Sequence, residues 1–305
     1  MYSLETGLLK KGEKIMNMKG IIPALVTPFK DDYSIDHDAL RLMIDHHIAN
    51  GVDGFYICGS TAECFLLTQE ERKSLVETIV NHTAGRVPIT AQIGNIGTSL
   101  AVDLAQHAAA TGVDAVSSVP PFYFKFSVSE LASYYEAIAK ASNLPVIIYS
   151  IPAFSGVAIT HENIKTILDA SGAEGLKYTS YDLFELERIH RAYPDLKLFN
   201  GHDEVFANAL PIGLTGAIGS TFNVMPQKYQ RIKAAYERGD NAAVAQMQAD
   251  TNVLIDALIK TGVNAGIKYL LTKRGIPCGN CRPPFGQLTE ESKALLDSIE
   301  NQVLA

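Results

Sequence analysis

Glu174-Gly-Leu-Lys-Tyr-Thr-Ser180 is a short alternating run with the pattern of a barrel strand, and it carries the least expected side chain of the sequence. Alternation places Lys177 and Thr179 on one face, two residues apart. A lysine pointing inward from such a strand is rare, because burying an ammonium group costs free energy. Burial lowers the amine pKa, and a neutral amine is a nucleophile. That combination suits Schiff-base chemistry on a carbonyl compound. Read alone, the strand favours the ordinary alternative of a solvent-facing lysine at a strand end. Its neighbours along the chain reverse that.

Outward from this run, strand-like and helix-like segments alternate between Gly20 and Thr221. The expected strands are Gly20–Thr27, Gly54–Cys58, Pro88–Gly94, Ala115–Pro120, Pro145–Ile151, Gly175–Ser180, Leu196–Gly201 and Gly216–Thr221. Most are rich in Val, Ile and Tyr and are bounded by Gly or Pro. Helix starts are signalled between them. Thr68-Gln-Glu-Glu71 and Ser127-Val-Ser-Glu130 have the capping-box pattern, and Asp36 suits the N-cap of a helix carrying Leu40, Met43, Ile44 and Ile48. Eight such units predict an α/β protein, a (β/α)8 TIM barrel with a C-terminal helical extension. A doubly wound sheet gives no reason for eight units, and the Gly-rich turn usual after its first strand is missing from Thr27-Pro-Phe-Lys30. Residues 1–18 read as a mobile leader and 19–225 as the barrel core. Residues 226–305 read as the last barrel helix plus helical segments at Asn241–Thr261, Gly266–Arg274 and Thr289–Leu304, all in the same domain.

The 305 residues are 47% hydrophobic and 19% charged, an ordinary globular composition. A net charge of −7 argues against nucleic acid and anionic membranes as partners. No apolar run approaches the ~20 residues of a membrane-spanning helix, and the charged N-terminus lacks the apolar stretch of a secretory signal. Four cysteines are too few for a disulfide scaffold in a chain of this length, which fits a reducing cytoplasm. Cys278-Gly-Asn-Cys281 has redox or zinc spacing, but no second pair or histidine follows it, and Pro277, Pro283 and Pro284 flank it. It reads as a plain loop.

Barrel chemistry sits at the C-terminal ends of the strands. Those ends carry Gly59-Ser-Thr-Ala-Glu63, Pro120-Pro-Phe-Tyr123, Tyr149-Ser-Ile-Pro152, Lys177 with Thr179, Asn200-Gly-His-Asp-Glu204 and Gly219-Ser-Thr221. Each has a bland reading. Gly-Ser-Thr is a common turn, a tyrosine in an apolar run is usually packing, and Asp203 or Glu204 could cap the next helix. The His-Asp-Glu run could suggest a metal, though three adjacent residues rarely converge on one ion. A lysine, tyrosines and several hydroxyls on one rim are harder to dismiss together.

With these segments the chain resembles the dihydrodipicolinate synthase / N-acetylneuraminate lyase family of class I pyruvate aldolases. The likeness runs from about Gly20 to the C-terminus. It rests on Gly59-Ser-Thr-x-Glu63, Tyr149-x-Ile-Pro152, Gly175-Leu-Lys177 and Gly201-x-Asp-Glu204. Ile151-Pro-Ala-x-Ser-Gly156, Asp203-Glu-x-Phe-Ala207 and Gly219-Ser-Thr-x-Asn223 are most similar to its N-acetylneuraminate lyase branch.

The resemblance implies a reversible cleavage of N-acetylneuraminate (sialic acid) to N-acetylmannosamine and pyruvate. Lys177 would form the imine and replace any metal or organic cofactor, and Tyr149 would relay the proton. Tyr123 would reach into a neighbouring subunit's site, within a homotetramer built as a dimer of dimers. Ser60 and Thr61 would hold the pyruvoyl carboxylate. Thr179, Gly201, Asp203, Glu204 and Ser220 would face the sugar end.

Comparison within the family narrows the substrate. Its dihydrodipicolinate synthases carry an arginine where this chain has Phe154, which disfavours a partner with a second carboxylate. Asp203 and Glu204 favour a polyol. The family's usual glycine is replaced by Ala62, a change that tightens the carboxylate pocket or is harmless at negative φ. His202 and Asn264 also depart from the well-known sialic acid lyases. These departures leave two alternatives: an aldolase or dehydratase for another 2-keto-3-deoxy sugar acid, and a non-catalytic pyruvate-binding barrel.

Overall fold

The computed structural model of the protein describes residues 16–304. Its eight strands are β1 (Gly20–Pro23), β2 (Phe55–Ile57), β3 (Ile89–Gln92), β4 (Ala115–Ser118), β5 (Val146–Ser150), β6 (Gly175–Tyr178), β7 (Lys197–Asn200) and β8 (Gly216–Gly219). All pair in parallel, in the order β1-β8-β7-β6-β5-β4-β3-β2. The seam between β1 and β2 is closed by a bridge between Ala24 and Tyr56 and by the Leu25 amide donating to the Tyr56 carbonyl at 3.0 Å. This is a (β/α)8 barrel. Every expected strand is present but shorter at its ends, where the chain turns into loops. The Thr27 hydroxyl, for example, donates to the Ala62 carbonyl at 2.8 Å instead of extending β1.

Inward-facing Ile22, Tyr56, Val119, Ile147, Tyr149, Phe199 and Ile218 form a core inside the barrel. Its floor includes Met16 and Met18, which are 6% and 2% exposed. Residues 16–18, expected to be leader, therefore belong to the packed barrel; residues 1–15 lie outside the described residues. A second, larger core lies between strands and helices, with Leu40, Met43, Leu75, Ile79, Leu131 and Ile138 facing it. The helices begin where their caps predict. Asp36 accepts from the Asp38 and Ala39 amides ahead of His37–Ala49. Both capping boxes form, ahead of Gln69–Thr83 and Val128–Ser142. Each cap contributes about 0.5–2 kcal/mol.

Beyond the last barrel helix, Pro226–Glu237, come helices Asn241–Thr261, Val263–Lys273 and Glu290–Leu304. The second of these starts three residues before the expected Gly266, because the chain breaks at Gly262 (φ 99°), not later. Asn241–Thr261 packs on the barrel rim. Gln248 donates to the Asp203 carbonyl at 3.1 Å and accepts from the Ala207 amide at 2.9 Å. Asn252 donates to the Glu204 carbonyl at 3.0 Å. The extension thus fixes the loop after β7 from outside. The Cys278–Cys281 segment is a loop, and its two cysteines, like Cys58 and Cys64, are unpaired and buried. Its bend at Gly279 (φ 64°) needs glycine, since a Cβ there would lie 2.0 Å from the Phe29 carbonyl oxygen.

Candidate active site

In the sheet register Lys177 lies opposite Tyr149 of β5 and Phe199 of β7. It points into the barrel and is 4% exposed. Its ammonium nitrogen sits 4.0 Å from the ring centroid of Tyr149 and 4.1 Å from that of Tyr56. Burial pushes its pKa down to about 7, against the opposing pull of Asp203 and Cys64. A substantial neutral fraction at physiological pH follows.

Tyr149 is buried, and burial raises its pKa to about 12, while the Ser60 and Thr179 hydroxyls act in the opposite direction. These two hydroxyls favour the phenolate, but burial outweighs them and the group rests as the phenol. Tyr56 escaped the sequence reading. Its hydroxyl is committed to Ser117 Oγ at 3.0 Å, so what it offers the lysine is a ring face. Its place in the alternating Phe55-Tyr-Ile57 run was a signal for inward packing, with nothing to distinguish it from core.

The turn after β2 runs through a short 3-10 helix, Ser60–Ala62. Its left-handed residues are Cys58, at φ 56°, and Glu63, at φ 58°, not Ala62. The methyl of Ala62 therefore meets no backbone strain. A non-glycine residue in this conformation is held by its surroundings, and Glu63 is held firmly. Lys268 Nζ donates to its Oε1 at 2.5 Å, with both side chains almost fully buried, and the Arg282 amide donates to its Oε2 at 2.8 Å. Arg282 in turn pairs with Glu71 and bonds the Tyr33 and Leu66 carbonyls. Two C-terminal cations thus anchor the turn that carries Ser60 and Thr61.

On the opposite rim, Asp203 is buried and its Oδ2 accepts from the Thr221 amide at 2.8 Å and hydroxyl at 2.6 Å. Its Oδ1 has no partner. Burial raises its pKa to about 6, although the Thr221 bonds act to lower it. Gly201 must be glycine, because a Cβ there would lie 1.9 Å from Thr179 Oγ1. Glu204 accepts from the Tyr181 hydroxyl at 2.5 Å and lies 3.2 Å from His202 Nδ1, both at Oε1. Its side chain is therefore not a helix cap.

Ser60, Thr61, Tyr149, Lys177, Thr179, Gly201, Asp203, Glu204 and Ser220 all line one cavity of about 740 Å3. Tyr123 does not: it is 85% exposed, at φ 77°. Phe154 and Asn264 line the same cavity. Among the described residues no group of three His, Cys, Asp or Glu is placed to hold a metal ion, His202-Asp203-Glu204 included.

A buried amine of lowered pKa, a tyrosine beside it and hydroxyls at hand equip this barrel for covalent chemistry on a carbonyl carbon. The Dihydrodipicolinate synthetase family profile matches residues 17–302, and the chain belongs to that family. It is 40% identical over 290 residues to the N-acetylneuraminate lyase of Citrobacter koseri, across 94% of this chain and 98% of that one. The Clostridium difficile protein CdNal, solved in complex with mannosamine, superposes with a TM-score of 0.92 at 34% identity, over 94% of this chain and all of that one (100%). An N-acetylneuraminate lyase from Fusobacterium nucleatum, complexed with pyruvate, gives 0.89 at 33% identity, over 94% and 98%. No helix among the described residues is long and apolar enough to cross a membrane.

Proposed function

We propose that the protein is a lysine Schiff-base lyase that reversibly cleaves N-acetylneuraminate to N-acetylmannosamine and pyruvate. The observation that carries this reading is Lys177, buried between two tyrosine rings at the bottom of the cavity with its pKa near 7. The curated relative of the same family, matched over nearly its whole length, supports the choice of sugar acid.

Each residue has a task. The neutral Lys177 amine attacks the C2 carbonyl, and loss of water gives the imine. Ser60 and Thr61 hold the neighbouring carboxylate. Tyr149, beside the Ser60 and Thr179 hydroxyls, relays the C4 hydroxyl proton: as it accepts that proton, its own phenolic proton passes to the substrate carboxylate. The C3–C4 pair of electrons then moves into the protonated imine, releasing the aldehyde sugar and leaving an enamine. Protonation at C3 and addition of water return pyruvate and free lysine. Asp203 and Glu204 accept hydrogen bonds from the polyol tail, with Thr179, Gly201 and Ser220 shaping the space beside them. Phe154 offers no cation to a second carboxylate.

Tyr123 acts outside its own chain's cavity in this reading, within a homotetramer of paired dimers in the cytoplasm. Its exposure supports that role.

Incubation with N-acetylneuraminate and borohydride tests the reading. A reduced pyruvoyl adduct mapped to Lys177 by mass spectrometry is expected, and Lys177→Ala is expected to lose it. An adduct elsewhere, or none, refutes the imine. A kcat/KM far higher for another 2-keto-3-deoxy acid replaces the substrate.

A further inference from the structure

We propose that Tyr181 and His202 are positioning residues that determine which substrate tails Glu204 accepts. The proposal rests on the lyase reading above. Tyr181 follows β6 and His202 follows β7, and these strands are register neighbours through Tyr178 and Asn200. The two rings stack with centroids 4.2 Å apart and planes within 5°. Both bond the same carboxylate oxygen, Glu204 Oε1, at 2.5 Å from the Tyr181 hydroxyl and 3.2 Å from His202 Nδ1.

Burial alone would raise the Glu204 carboxyl, but the bonds from His202, Tyr181 and its own main-chain amide outweigh it and hold the pKa at about 2. The group is therefore an anion at working pH. An anionic carboxylate only accepts, so His202 Nδ1 carries a hydrogen.

Two consequences follow from the shared oxygen. Oε1 is committed to the protein, and neither aromatic bond reaches Oε2. The carboxylate is left with one oxygen for a hydroxyl of the substrate instead of a two-oxygen fork. The rings also fix where that oxygen stands, while Asn252 fixes the Glu204 main chain from the helical extension. A tail is then read by whether it brings a hydroxyl to one fixed point. A tail ending in a carboxylate would instead bring a second acceptor to an oxygen that can only accept.

Tyr181 is 63% exposed, so replacing it leaves the core intact. Tyr181→Phe keeps the stack and deletes the bond; Tyr181→Ala deletes both. KM and kcat are measured for N-acetylneuraminate and for a short-tailed 2-keto-3-deoxy sugar acid. We expect KM for the long acid to rise about 5- to 20-fold in Tyr181→Phe and further in Tyr181→Ala, with kcat and the short acid's KM holding within about twofold. Equal losses on both acids, or no change on either, overturn the proposal. Wild-type turnover of N-acetylneuraminate tests the substrate reading separately. If the wild type prefers another long-tailed 2-keto acid, the long-to-short ratio is read with that acid, and the same outcomes decide. A wild type that turns over neither kind of acid overturns both claims.

Discussion

Lys177→Met removes the ammonium group while keeping much of the stem, and its effect on stability can be worked out before it is made. Burial lowers the Lys177 pKa from 10.5 to about 7. One pKa unit corresponds to about 1.4 kcal/mol, so the full cost of holding this site against protonation is about 5 kcal/mol. The unfolded chain keeps the lysine proton up to its ordinary value, whereas the folded protein releases it near neutrality. Between those limits the unfolded state binds more protons, and the folded state gains stability as pH rises. From pH 7 to pH 9 the gain from this one group is about 2 kcal/mol. Lys177→Met lacks it and should be the more stable protein at pH 7. Urea unfolding of both proteins at the two pH values, at one protein concentration, isolates the difference, since all other titrating groups are shared. If the two proteins show the same change between pH 7 and pH 9, Lys177 does not titrate near neutrality and the account of its nucleophilicity fails.

Tyr149→Phe should still form the borohydride-trapped imine but slow C–C cleavage by about 10²–10⁴, measured by single-turnover release of the aldehyde sugar. Equal slowing of both steps would reduce Tyr149 to a packing role. Glu204→Gln should lower kcat/KM for N-acetylneuraminate by about 10–100-fold with pyruvate trapping at Lys177 unaltered. A fall in melting temperature with unchanged kinetics would remove Glu204 from the site. Lys268→Met strands the buried Glu63 charge and should cost about 3–5 kcal/mol in urea unfolding. Adding Glu63→Gln should recover most of that loss, and additive losses would show that the pair is not coupled.

The barrel was legible because each strand is a short run of β-formers bounded by Gly or Pro, and because Asp36, Thr68 and Ser127 mark helix starts with local chemistry. The inward-facing lysine was legible because alternation puts Lys177 and Thr179 on one face. What escaped depends on distance along the chain. Lys268 is separated from Glu63 by 205 residues and sits on a helix, where a lysine ordinarily faces water. Nothing local in Val263–Lys273 says that this one is almost fully buried. Arg282 lay in a segment read only as a loop. Tyr181 followed a strand whose partner, and hence the ring it stacks on, is known only once β6 and β7 are paired. Ala62 looked like a departure with consequences because glycine suggests positive φ; in the fold that burden falls on the next residue.

The pairing of Tyr149 with Lys177 is a rung of the sheet ladder. The gap between the two groups proposed as nucleophile and proton carrier is therefore measured out by main-chain hydrogen bonds, not by a loop, and sliding either strand by one residue would turn its side chain toward the helices. The groups proposed to face the tail hang instead on segments beyond the strand ends, where length and composition can drift without disturbing that rung. On the roles proposed here, a lineage built this way can exchange one sugar acid for another by altering residues such as Tyr181 and His202, while the bond-breaking step is inherited unchanged with the barrel.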